Sequence, residues 1–174
     1  MKMIVLFASM AVPALVWGQS VTSSPGQVQH QDAPDQRSTG VDARGDHAMG
    51  FSHQNSTHHF RLLSDGGAIE VSAKDPNDTA TRDQIRMHLS HIAKMFSEGD
   101  FQAPMFIHDT VPPGVPEMQT KRDAITYTFE ATPNGGRVRI ASTDSVAIKA
   151  IHQFLAFQID DHRTGDPKTV SSQR

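Results

Sequence analysis

The chain has 174 residues, with 16 Lys and Arg against 19 Asp and Glu, a net charge of −3, 10 His and no Cys. That balance argues against nucleic acid as a partner and supplies no polybasic patch for a membrane surface. The lack of cysteine excludes disulfides and thiolate metal sites, so the fold must rest on its apolar core.

Residues 1–18 read as a signal peptide. Lys2 supplies the positive start, and Ile4 to Trp17 is an apolar run too short to span a bilayer comfortably. Val16 and Gly18 suit a cleavage site. The expected location is periplasmic or secreted, with no membrane attachment after cleavage. Residues 19–47, rich in Gln, Ser, Asp, Pro and Gly, read as a disordered linker that cannot bury enough surface to offset its ordering entropy. Residues 48–167 are expected to form one α+β domain, and residues 168–174 a flexible tail.

Within the domain, a first hairpin is expected over residues 58–63 and 68–73, turning at Ser64-Asp65-Gly66-Gly67. Alternation places His58, Phe60, Leu62, Ile69 and Val71 on one face and His59, Arg61 and Glu70 on the other. Residues 80–98 carry Ile85, Leu89, Ile92 and Phe96 at helical spacing, with Thr81 and Gln84 as a candidate capping box. The connection from Phe101 to Asp123 is long and proline-rich but too apolar for disorder, and is expected to pack across an edge of the domain. A second hairpin follows over residues 125–131 and 137–141, turning through Gly135-Gly136. A second helix is expected over residues 144–161, with Asp144 as its N-cap.

The two hairpins match at a constant offset. Thr57-His58-His59-Phe60 corresponds to Thr126-Tyr127-Thr128-Phe129, and Gly66-Gly67 to Gly135-Gly136, each 69 positions later. The predicted fold is a two-layer sandwich built from a pseudo-two-fold ββα-ββα repeat. It has a four-stranded, mostly antiparallel sheet with two helices on one face. A ferredoxin-like topology is the alternative.

Histidine is the main chemical signal. With no Cys present, a transition-metal site would need imidazole, carboxylate or thioether ligands, and imidazole suits zinc and copper. His88 and His91 sit at i and i+3 on the first helix. His58 should face the helix layer, and His108 lies in the apolar connection, with Asp109 as a candidate carboxylate partner. His58, His88, His91 and His108 are therefore the candidate ligands for Cu or Zn. Each also has an ordinary reading. His88 could be a half-buried ring bonded to a carbonyl, His91 plain surface, His152 a satisfied core ring and His162 a solvated helix end. No His-Glu-x-x-His spacing, nucleophile elbow or phosphate loop occurs.

Three functions from different classes follow. The first is an exported small binding protein holding a transition metal through domain histidines. The second is an interaction module, for a protein partner or a second copy, using the outward sheet face with Arg137 and Arg139 or the proline-rich connection. The third is a hydrolase whose histidine and nucleophile meet only in space.

The block from Thr57-His58-His59-Phe60 through Asp100-Phe101, and the ending Phe157-Gln158-Ile159-Asp160-Asp161-His162-Arg163-Thr164-Gly165-Asp166-Pro167, resemble a group of small exported bacterial proteins. Some of that group carry an aspartate carbamoyltransferase label. This chain has no Ser-Thr-Arg-Thr phosphate motif and is too short for that enzyme's two domains. The resemblance implies export and the domain limits, and carries over no functional residue.

Overall fold

The computed structural model describes residues 33–171. The expected signal peptide, the first part of the expected linker and residues 172–174 lie outside the described residues. The elements in chain order are α1 (Ala33–Met49), β1 (Ser56–Leu63), β2 (Gly66–Ala73), α2 (Thr79–Ser97), α3 (Gln102–His108), α4 (Val115–Thr120), β3 (Ile125–Thr132), β4 (Gly135–Ser142) and α5 (Ser145–Asp161), with a 3-10 turn at Arg122–Ala124 before β3.

The four strands form one antiparallel sheet in the order β1-β2-β4-β3. The protein is α+β, as expected. Two adjacent hairpins in this order exclude the ferredoxin-like alternative. β3 and β4 begin and end 69 residues after β1 and β2, and the β1–β2 and β3–β4 pairings differ by that same offset. The helices depart from it, because the capping residues Asp78 and Asp144 are closer in spacing.

The glycine pairs do not form the bends. Both hairpins close with two-residue loops, Ser64-Asp65 and Pro133-Asn134, and each Gly-Gly opens the following strand. Close approach of backbones explains them. Gly66 has φ +142°, and a Cβ on Gly135 would lie 2.1 Å from the Val71 carbonyl oxygen.

One sheet face carries Phe60, Leu62, Ile69, Val71, Val138 and Ile140, all buried under α2 and α5. The α2 stripe Ile85, Leu89, Ile92 and Phe96 is buried as its spacing requires. α2 packs mainly on β3 and β4, whereas α5 packs mainly on β1 and β2, so each helix covers the hairpin of the other half. Phe96 and Phe101 stack at the centre and Phe154 meets both edge-on, with ring centres 4.3–6.0 Å apart.

Three local expectations are corrected. The α2 cap is Asp78, whose side chain accepts from the Thr81 amide at 2.9 Å, so Thr81 lies inside the helix and caps nothing. Residues 33–47, expected to be disordered, lie in α1. That helix runs along α3, buries Val41, and is tied by Arg44 Nε donating to the Ile107 carbonyl at 2.8 Å. Part of the expected flexible tail is paired: the Ser171 amide donates to the Leu62 carbonyl at 2.8 Å along the outer edge of β1. The apolar connection packs as expected, but as α3, α4 and a 3-10 turn, with Phe101, Val115 and Met118 buried.

The opposite sheet face is charged and internally paired. Arg61 donates to Glu70 at 2.9 Å, and Arg137 lies 3.8 Å from Glu70 and bonds Glu130, giving alternating charges across all four strands. Arg139 bonds the Gly67 carbonyl and Asp65.

Candidate metal-binding cavity

Strand alternation turns His58 inward beside Phe60, and the α2 stripe carries His88 on its flank beside Leu89. α3 lays Ile107 and His108 over the gap between α2 and α5. The chain then leaves α5 through the C-cap His162, which folds back over β1. These elements line a cavity of about 70 Å³ in the helix layer, open on one side and walled by His58, His88, His108, His162 and Gln158 among apolar side chains that include Met49, Leu89 and Pro104. Among the described residues, no Lys, Arg, Asp or Glu lines it.

The imidazoles fall into two kinds. His108 is buried and fully engaged: Nδ1 pairs with the Asp161 carboxylate at 2.6 Å and Nε2 with the side-chain amide of Gln158 at 2.8 Å. Its carboxylate partner is Asp161, supplied by α5, and not the adjacent Asp109. With both nitrogens bonded, His108 has none left for an ion.

His58, His88 and His162 are different. Their rings form no hydrogen bond within the described residues. Burial is the main force holding His58 at a pKa of about 4, reinforced by the nearby His88. Burial likewise holds His88 at about 4, with His91 adding to it. Burial pushes His162 down to about 3, helped by His58 and His108 against the opposing pull of Asp161. All three are neutral near pH 7, which is the form that binds metals.

His58 and His162 lie nearly parallel, at 5°, with ring centres 5.8 Å apart. His162 also meets His108 edge-on at 5.0 Å. Phe51 packs against both His58 and His88.

Of the four candidate ligands, the structure brings His58, His88 and His108 to one cavity. His91 points to solvent and does not line it. Among the described residues, no three His, Asp or Glu side chains come together as an ion-holding group. His162 was missed because a helix end reads as solvated in sequence; only its return over β1 buries it. His152 is satisfied as a core ring, bonding the Leu63 carbonyl at 2.8 Å. Among the described residues, no hydroxyl bonds a cavity histidine: His108 uses a carboxylate and an amide.

Among the described residues, no helix is long and apolar enough to cross a membrane. No protein-family model, no curated protein and no solved structure matches this chain.

Proposed function

We propose that this is an exported small binding protein that takes a transition-metal ion, copper or zinc, into the helix-layer cavity through His58 and His162. The observation that carries the reading is a pair of neutral, unbonded imidazoles facing one cavity. The two ring centres lie 5.8 Å apart in near-parallel planes, so the rings must turn about their side-chain bonds to bring a nitrogen of each to about 2 Å from one ion. Met49 brings a thioether to the same wall, which favours copper. His88 lines the same cavity, packed edge-on against Phe51, and does not join the pair as a third ligand.

The interaction reading has less support. Arg137 and Arg139, the arginines it relies on, already hold Glu130 and Asp65.

Thermal unfolding of the purified protein with and without copper or zinc tests the proposal, because a ligand of the native state raises the melting temperature. The wild type is expected to gain stability with at least one ion, and His58→Ala and His162→Ala to lose that gain. His91→Ala should keep it. A melting curve unmoved by either ion would remove the proposal.

A further inference from the structure

The sheet ends in two edge strands, β1 and β3. The ladder fixes which backbone groups point outward from each. The Ser142 amide donates to the Asp65 carbonyl on the β2 side, so the alternate residues Arg137 and Arg139 turn their backbone toward β3 and pair with Glu130 and Thr128. The N–H and C=O groups of Tyr127, Phe129 and Ala131 therefore face away from the sheet. Sixty-nine residues before Phe129 and Ala131 stand Phe60 and Leu62, which hold the same places on the outer edge of β1. That edge is capped: the Phe60 amide donates to Asp166 at 3.0 Å, and the Leu62 carbonyl accepts from the Ser171 amide at 2.8 Å. Among the described residues, no segment caps β3.

An open edge is a template for another strand, and proteins guard such edges with lysine, proline or a very short strand. β3 has none of these. It runs for 8 residues, contains neither Lys nor Pro, and carries one charge, Glu130, which Arg137 already pairs. Its inward side chains are also incompletely covered. Tyr127 and Phe129 are only partly buried, whereas Phe60, Ile69, Val138 and Ile140 on the same sheet face are buried. We infer that β3 pairs antiparallel with β3 of a second copy about a two-fold axis at Thr128, joining the two sheets into one. The strand fits itself in this register. Tyr127 meets the partner's Phe129 on both sides of the axis, so the half-exposed aromatics cover one another. Glu130 meets the partner's Thr126, so no like charges are opposed. The pairing is independent of the cavity and of any ion in it.

A single strand edge is a small interface, so the dimer should be reversible and concentration-dependent. Thr128 would face its own copy as a non-hydrogen-bonded pair, with Cα atoms about 4.5 Å apart, which is within disulfide reach. Thr126 would lie about 13 Å from its own copy, four residues along the strand. The chain has no Cys of its own, so a single introduced thiol reports the register. Under mild oxidation, Thr128→Cys should run as a covalent dimer on a non-reducing gel, and Thr126→Cys as a monomer. In sedimentation of the full-length protein, Thr128→Lys should weaken the reversible dimer by about 5-fold, the scale of one unfavourable cross-strand pair. Thr126→Lys sets a cation opposite Glu130 and should leave the dimer as tight or tighter. Both threonines are exposed, so these changes spare the core. A wild type that is monomeric at every concentration, or equal cross-linking of the two cysteine variants, overturns the pairing.

Discussion

Burial without a hydrogen bond sets the chemistry of His58, His88 and His162. A ring that must stay neutral in the native state but can take a proton when unfolded makes stability depend on pH. His58 and His88 have folded-state pKa values of about 4, below the ordinary 6.5. The unfolded chain therefore binds more protons between those values, and native stability falls as pH drops from about 6.5 toward 4. Each ring contributes on the order of 3 kcal/mol to that slope if it titrates alone. Urea unfolding at pH 7 and at pH 5 should show a lower midpoint at pH 5. The double variant His58→Phe/His88→Leu should make the dependence shallower, leaving the share of His162, and an equally steep dependence in that variant would show that other groups cause it. His58 was legible in the sequence, because a period of two decides which way a strand residue points. His162 was not, because its burial comes from β1, a hundred residues away in the chain. The Asp161 partner of His108 was hidden for the same reason: the adjacent Asp109 is nearer in sequence, but the exit of α3 leaves it on the surface.

At the scale of elements, the strands and the α2 and α5 stripes were readable because each buries a face with a regular period. α1 was not. It buries Val41 and borrows the Ile107 carbonyl through Arg44, and contacts of that kind leave no apolar stripe in the sequence. Two glycine substitutions separate the physical roles. In α1, a Cβ on Gly45 would meet only Met49 Cε at 3.5 Å, an ordinary contact. Gly45→Ala should therefore stabilise the protein by roughly 0.5–1 kcal/mol, the helix-interior difference between the two residues. No change in the denaturation midpoint would argue that this segment is not helical in solution. Gly135→Ala should do the reverse. Its Cβ would sit 2.1 Å from the Val71 carbonyl oxygen and 2.9 Å from Ser72 Cα, backbone that cannot swing aside. The central β2–β4 pairing must shift, at a cost of about 1–3 kcal/mol or more.

Across the whole molecule, the exchange of covers decides cooperativity and the existence of the site. α2 follows the first hairpin but lies on the second, and α5 follows the second but lies on the first. Neither half can bury its own strands. A peptide of residues 51–100 should be unfolded alone by circular dichroism, and a folded spectrum from it would contradict this interlocking. The cavity depends on the same arrangement, since His58 comes from the first hairpin and His162 from the end of α5. The matched hairpins made the sheet legible, but a site assembled from opposite ends of the domain could be seen only once the layers were closed. The metal content of the purified full-length protein after equilibration with copper or zinc and removal of free ion tests the central claim most directly. One ion per chain in the wild type, retained in His91→Ala and absent from the His58→Ala/His162→Ala double variant, is the predicted result. An ion-free wild type, or a double variant that keeps its ion, would contradict it.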